Sequence, residues 1–204
     1  MALTLRTLAS FLAVLSLPAC QLLPESPEAL AGMPIRSSAK LMQSAAAGGS
    51  AQALGSPYGA AIVADLVIGK DRPDNLTGVD LANFEAIRPE LARLFGTTFR
   101  ETLHREGYVR LALPGESGAD VVTIQPAAMR IAPGYNVGGV EGVAATELEI
   151  AVAVRDSGGR FLGWYAVQYS GGLRSVLPVS RNDVLRRAFA DAGEQVARAI
   201  AKAR

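Results

Sequence analysis

Apolar side chains recur at helical spacing over residues 89–106. They step by three and four residues, which places them on one face of a helix. Pro89 and Gly107 suit its first position and its stop. A second helix is predicted after Ser180, because Ser180 and Asp183 resemble a capping box. The predicted inner face of the first helix comprises Leu91, Leu94, Phe95, Thr98, Phe99, Thr102 and Leu103, and that of the second comprises Val184, Leu185, Ala188, Ala192, Val196 and Ile200.

Residues 145–155 alternate with a period of two, which is typical of a strand with one buried face. Leu148, Ile150, Val152 and Val154 share one side, whereas Glu147, Glu149 and Arg155 share the other. The turn residues 156–159 and the segment 160–170 complete a predicted hairpin. Further strands are predicted at 60–68, 108–113 and 120–131, and Pro126 suggests an edge or a bulge in the last of these.

These elements predict the order β-α-β-β-β-β-α and an α+β fold, with two helices packed on one face of a mostly antiparallel sheet. Residues 60–204 form the expected single domain. Residues 20–59 are rich in Pro, Ala, Gly and Ser. We expect them to form a flexible tether, with an optional short helix over 38–47, spanning about 35 Å.

The chain begins with the features of an export signal. Arg6 is followed by an apolar stretch over residues 7–19, which is 13 residues long. A helix that crosses a bilayer needs about 20 residues, and Pro18 disfavours helical continuation. A cleaved signal at residues 1–19 is therefore predicted instead of a permanent span.

The end of this stretch, Leu17-Pro18-Ala19-Cys20, resembles the lipobox of bacterial lipoproteins, although proline is less usual at its position. The resemblance implies a diacylglyceryl thioether on Cys20, cleavage before Cys20, and acylation of the new amino terminus by a fatty acid such as palmitate. Gln21 follows in place of the aspartate that retains lipoproteins in the inner membrane. An outer-membrane anchor is implied, with the domain facing the periplasm.

Charge and cysteine content narrow the possible partners. Of 20 Lys and Arg residues only Arg6 precedes Cys20, which leaves 19 basic against 19 acidic side chains. A nucleic-acid-binding domain would need a basic excess, so no nucleic-acid partner is expected. Cys20 is the only cysteine, which allows no internal disulfide. Its position at the lipobox implies a role in lipid attachment, which needs no second cysteine.

The domain also resembles a group of small envelope lipoprotein domains. Matching features are the strand near 62–68, a helix ending at Glu106-Gly107-Tyr108, the segment 118–122 and the hairpin turn at 156–159. The group includes the amino-terminal domain of the Tol translocation protein, the curli-secretion lipoprotein, the activators of penicillin-binding proteins and uncharacterised lipoprotein families. The resemblance implies an interaction or scaffold role without naming the machine.

Candidate catalytic groups are few. His104 is the only histidine and is expected to be a solvated helix residue near a carboxyl terminus. Glu147 and Glu149 share a strand face, but charged residues are ordinary on a solvated sheet face. An EF-hand loop starting at Asp71 would need glycine and glutamate where Leu76 and Ala82 stand. We therefore expect neither enzymatic activity nor a metal or cofactor.

Two groups of residues are candidates for binding a partner. The aromatic candidates are Tyr135 and Trp164. Simple alternation puts Phe161, Tyr165 and Tyr169 on the face opposite Trp164, so one set should be core. The basic candidates are Arg186 and Arg187, which could meet an acidic partner or form a solvated face.

Two functions remain open at this stage. The first is a non-catalytic lipoprotein that binds an envelope protein in assembly or maintenance. The alternative is a lipoprotein that binds a small ligand between the sheet and the helices. An exposed apolar face or open sheet edge would favour the first, and a deep pocket would favour the second.

Overall fold

The computed structural model describes residues 35–48, 54, 59–69, 73–113, 115–134, 145–173 and 179–203. It confirms an α+β fold. In chain order the elements are β1 (Ile35–Ala46), β2 (Ala60–Val63), β3 (Val67–Ile68), α1 (Gly78–Arg105), β4 (Val121–Ala132), β5 (Thr146–Asp156), β6 (Phe161–Leu173) and α2 (Arg181–Lys202). Neither described helix has the length and apolar composition needed to span a bilayer.

The strands form one mixed sheet in the order β1-β6-β5-β4-β2, with β3 also pairing with β4. The pairs among β1, β6, β5 and β4 are antiparallel, and β2 and β3 run parallel to β4. One face of the sheet and the two helices enclose a core that includes Phe95, Phe99, Leu148, Tyr169 and Phe189. Two layers therefore make up the described domain.

The helix expected over residues 38–47 is wrong. Ile35–Ala46 is a strand that pairs with β6 from Ile35–Leu173 to Ala46–Gly163. Half-buried Ala39 and Leu41 alternate with exposed Ser38 and Lys40, a period of two that fits a strand better than a helix.

The predicted tether therefore also needs correction. The sheet includes residues from Ile35 onward, and Leu54 is 1% exposed within the core. The folded domain begins well before the predicted boundary at residue 60.

Pro126 lies inside β4, opposite Val152 of β5. On the other side of β4 the parallel partner is interrupted, since β2 pairs as far as Ile124 and β3 starts at Ala127. Proline has no N–H to donate to a neighbouring strand. The interruption is filled by Gln125, whose side-chain amide donates to the Asp65 carbonyl over 2.9 Å. The predicted edge or bulge at Pro126 is wrong, because β4 is an interior strand and its register with β5 shifts only between Ala128 and Arg130.

The strand expected over residues 108–113 is reduced to one bridge between Ala61 and Leu111. Two backbone hydrogen bonds form there, from Ala61 N–H to Arg110 and from Ala112 N–H to Ala61. The following residues turn away, because Glu116 accepts from both the Arg110 guanidinium and the Leu113 N–H. The Arg110 hydrogen bond lowers the pKa of Glu116 to about 2.

Helix α1 starts eleven residues before its predicted first residue, Pro89. Phe84 and Ile87 are buried and continue the apolar spacing backward from Leu91. Pro89 is exposed within the helix. Its missing N–H costs a helical hydrogen bond, but the burial of Phe84 on the same helix offsets that loss. The start of α2 is as predicted, since the Ser180 side chain accepts from the Asp183 N–H over 3.1 Å.

Candidate interaction surface

One face of the sheet is not covered by either described helix. The register places its outward residues in rows that cross β4, β5 and β6. One row contains Val67, Ala127, Ala151, Ala166 and Gln43, and the next contains Gln125, Ala153, Trp164 and Ala45. A third contains Ile62, Thr123, Arg155 and Phe161. We call this surface the open face; its outward residues are more apolar than those of an ordinary solvated sheet face.

The predicted position of Phe161 is wrong. A register shift between Val154 and Arg155 inserts an extra residue, so Phe161 pairs with Arg155 while Gly163 pairs with Val154. Phe161 is therefore 41% exposed on the same side as Trp164, whereas Tyr165 and Tyr169 are buried. The Arg155 guanidinium lies 5.7 Å from the Phe161 ring centroid. Such a bulge reverses the alternation that a sequence pattern assumes.

Trp164 is half-buried on the open face, between Ala45 of β1 and Ala153 of β5. Its role as an interaction residue stays a prediction. Tyr135 lies outside the described residues. Ala151 and Ala153, which share the open face, are not among the predicted interaction residues. The signal was present, because both alternate with the core residues of the predicted strand at 145–155.

The two basic candidates have contacts within the domain. Arg186 of α2 donates to Glu90 of α1 over 3.0 Å and forms an ion pair with Asp183. Arg187 is half-buried, and its charge acts on the neighbouring Tyr169 hydroxyl. The position of Arg186 indicates a role in joining the two helices. Binding of a partner by either arginine stays a prediction.

The Glu147 and Glu149 carboxylates share the guanidinium of Arg130, at 3.7 and 3.5 Å. Arg130 also donates to Asp74 over 2.7 Å. All four side chains are partly solvated. Arg130 thus connects β4, β5 and the loop before α1, and the resulting group of one cation and three anions borders the open face. Its contacts are those of an ion-pair network on a solvated surface.

Other candidate chemistry is sparse in the described residues. His104 is exposed near the carboxyl end of α1, as predicted. Among the described residues, no three His, Cys, Asp or Glu side chains are placed to hold a metal ion.

A cavity of about 310 Å³ lies beside β2, where Ile62, Leu111 and Leu113 contribute apolar walls. Its cation, Arg100, is engaged with the Val63 carbonyl and with Asp65. A second cavity of about 200 Å³ lies between Ile68, Met129 and Arg130. The first volume is at the lower end of the range for ligand pockets, and the second is below it.

The buried tyrosines have polar partners. The Tyr108 and Tyr165 hydroxyls lie 2.6 Å apart, and Tyr108 donates to the Leu54 carbonyl over 2.8 Å. Tyr169 donates to the Asp191 carboxylate over 2.9 Å. Burial, together with that carboxylate, raises the pKa of Tyr169 above its usual range. These hydroxyls link the sheet to α2 and to the segment that contains Leu54.

Tyr169→Phe should lower the free energy of unfolding at pH 7 by about 1–2 kcal/mol, because Asp191 loses a hydrogen-bond donor. Because the pKa of Tyr169 is raised in the folded state, the difference in stability between the two proteins depends on pH. The hydroxyl's contribution is complete below the unfolded value of about 10 and is lost as the pH rises above it. Urea unfolding at pH 7, 9 and 10.5 should show the stabilities of the two proteins converging at the highest pH. A gap that stays constant would contradict this role.

No protein-family model matches the chain. No curated protein matches it either. Its fold is similar to that of the PelC dodecamer from Paraburkholderia phytofirmans, with 14% identity over 79% of this chain and 98% of that one and a TM-score of 0.39. A minor lipoprotein from Acinetobacter baumannii has 11% identity over 69% of this chain and 91% of that one, with a TM-score of 0.35. At these values the function has to be argued from the chain's own residues.

Proposed function

We propose that this chain is a non-catalytic lipoprotein of the bacterial envelope, held on a membrane by lipid on Cys20, whose domain binds another protein. The observation that carries the anchor is the position of the only cysteine, directly after Leu17-Pro18-Ala19 at the end of an apolar stretch. One acyl chain gives marginal membrane binding, and two or more give stable anchoring. The binding role is supported by the apolar open face described above.

The corrected domain boundary shortens the connection to the membrane. Residues 21–34 separate Cys20 from the first strand residue, Ile35. A chain of that length reaches at most about 50 Å, and its root-mean-square span as a flexible coil is about 20 Å. The domain would therefore remain close to the bilayer surface, and a partner should be in or near the same membrane.

The attachment point lies at one end of the sheet. Ile35 pairs with Leu173 at the end of the sheet where β4 ends and β5 begins. Both helices begin at this end as well, joined by an ion pair between Asp80 and Arg181. The end with the 156–159 turn and the carboxyl ends of both helices would then be farther from the bilayer.

Binding of a small ligand between the sheet and the helices is the less favoured function. That region is filled by fully buried side chains such as Phe95, Phe99 and Leu148. Both described cavities lie outside it, beside β2 and at the end of β4.

Cys20→Ser tests the anchor in a native host. We expect the wild-type protein to fractionate with membranes and to resist a high-salt wash, because acyl chains and not charges hold it. The variant lacks the sulfur that carries the acyl chains, and cleavage before residue 20 should fail with it, so the apolar residues 7–19 would remain attached. Metabolic labelling with radioactive palmitate therefore separates lipid from leader: the wild type should be labelled and Cys20→Ser should not. Ser16→Ala, a matched change within the signal, should be labelled like the wild type. Equal labelling of Cys20→Ser and the wild type would contradict the anchor.

The proposed outer-membrane location depends on Gln21. Gln21→Asp should move the protein from the outer-membrane to the inner-membrane band of a density gradient. An unchanged band would contradict sorting by this residue while leaving the anchor itself intact.

A further inference from the structure

On the open face, small side chains of β4 and β5 lie between larger side chains on either side, and we call this strip the trough. Its floor is made of small side chains, Ala127 on β4 and Ala151 and Ala153 on β5. Its flanking side chains, which we call its walls, are larger: Ile62 and Val67 on the β2–β3 side, 49% and 50% exposed, and Trp164 and Phe161 on β6, where small Ala166 lies beside Ala151. The register fixes this arrangement, because paired residues of neighbouring strands project on the same side.

Gln125 has the only long side chain on the β4 part of this floor, and it is held toward one wall. Its amide donates to the Asp65 carbonyl at 2.9 Å and to the Pro126 carbonyl at 3.2 Å. The Gln125 side chain is therefore drawn toward β3 and away from Ala151 and Ala153.

The dimensions of the trough match an α-helix. Three strand spacings of about 4.8 Å separate the wall on β2 and β3 from the wall on β6, which gives about 14 Å. An α-helix with its side chains is about 10–12 Å across. Between Glu149 and Arg155 the strand advances by about 20 Å, equal to three or four helical turns. Alanines on the floor would let the helix backbone approach closely.

The two ends of the trough differ in charge. At one end Glu147, Glu149 and Asp74 surround the single cation Arg130. At the other end Arg155 faces the solvent beside Phe161. A helix carries partial positive charge at its amino terminus and partial negative charge at its carboxyl terminus. The favoured orientation therefore puts the amino terminus of a bound helix near Glu149 and its carboxyl terminus near Arg155.

From these observations we infer that the trough binds an amphipathic α-helix of another envelope protein, with the helix axis along β4 and β5. The apolar stripe of that helix would lie on Ala127, Ala151 and Ala153, between the aliphatic and aromatic walls. It would add a third layer to the described two-layer domain, on the face opposite α1 and α2. This inference rests on the proposed protein-binding role. It adds the binding site, the amphipathic helical character of the partner and the direction in which the helix lies.

Site-specific photocrosslinking in the native host tests this inference with the full-length chain. A benzophenone amino acid would replace Ala127, Ala151, Ala153 or Ala166 in separate variants, and the positions of the adducts on the partner would be found by mass spectrometry. We expect adducts on one protein segment, at residues spaced three or four apart. Adducts from Ala151 should lie about four or five residues before those from Ala153, because the 6.8 Å between these positions equals that length of helix.

Matched variants separate the trough from the rest of the surface. Ala153→Arg, and independently Ala151→Arg, should lower the adduct yield from position 166 at least tenfold. Ala86→Arg, on the exposed side of α1, should leave it unchanged. The melting temperature of each variant would show that the domain remains folded. Benzophenone at Ala86 and at the β1 residue Met42, which is 56% exposed, reports contacts elsewhere.

Each of the other crosslinking results would contradict a different part of the proposal. Partner adducts from Met42 but not from the trough would overturn the trough as the site and leave protein binding intact. Trough adducts at residues spaced two apart would indicate a strand, and adducts on this chain's own peptides would indicate self-association. Either result would contradict the proposal that the partner binds as an amphipathic helix. No protein adduct from any position would also contradict the proposed binding role.

Discussion

A fragment that begins at residue 60 is expected to lose the cooperative unfolding transition of the full domain. It lacks β1, which pairs with β6 from Ile35 to Ala46, and the buried Leu54. Removing them exposes one edge of β6 and the part of α2 that packs on β1, and leaves the Tyr108 hydroxyl without the Leu54 carbonyl. A domain is stable by only about 5–15 kcal/mol, so a loss of this size should abolish folding.

A fragment that begins at residue 32 is the control, because it retains every described strand. Thermal unfolding followed by circular dichroism should show a sharp transition for residues 32–204 and a gradual, non-cooperative change for residues 60–204. Equal free energies of unfolding for the two fragments would show that β1 does not stabilise the domain, which would contradict this prediction.

The second large effect is expected at Gly193, where α1 and α2 cross closely. A Cβ atom at this position would lie 2.2 Å from the Thr98 hydroxyl, 2.5 Å from the Phe95 carbonyl oxygen and 3.0 Å from the Phe99 nitrogen. Two of these three atoms belong to the backbone and cannot move aside by a rotamer change. Overpacking should therefore cost about 2–3 kcal/mol in Gly193→Ala. The gain of about 1 kcal/mol in helix propensity offsets part of it and leaves a net destabilisation of about 1–2 kcal/mol.

Three further variants isolate the cause of that loss. Thr98→Ala removes the nearest side-chain atom, together with its 2.7 Å hydrogen bond to the Ala190 carbonyl. The double variant Gly193→Ala/Thr98→Ala should not recover stability, because the Phe95 carbonyl still blocks the new methyl group. Ala86→Gly, on the exposed side of α1, measures the propensity difference alone, about 1 kcal/mol. A stabilised Gly193→Ala variant in urea unfolding would contradict the close crossing.

The sequence predicted the fold class and the interior elements because their periodicity is local. The hairpin of β5 and β6, strand β4 and the cap at Ser180 depend on alternation and turn residues that lie within a few positions of each other. The prediction starts helix α1 eleven residues too late, at Pro89 instead of Gly78. The pattern of Phe84, Ile87 and Leu91 continued through Pro89, and proline was given more weight than the burial of these side chains.

The misassigned segments depend on long-range pairing. Residues 35–46 contain Ser, Ala and Gln with few large apolar side chains, so their alternation is weak until β6 is placed beside them. The open face was missed for a related reason. Ala151 and Ala153 look unremarkable along one strand, and only the register with Ala127, Trp164 and Ala166 shows that they form a surface. The exposure of Phe161 needs the bulge near Arg155, which sequence alternation does not encode.

Lipid on the only cysteine is the claim on which the compartment, the closeness to the bilayer and the choice of partners depend. Its most direct test is mass spectrometry of the protein extracted with detergent from its native host. The amino-terminal peptide is expected to begin at Cys20 and to carry a diacylglyceryl group on sulfur and an acyl chain on the new amino group. A free thiol at Cys20, or peptides that retain residues 1–19 as the main species, would contradict the claim.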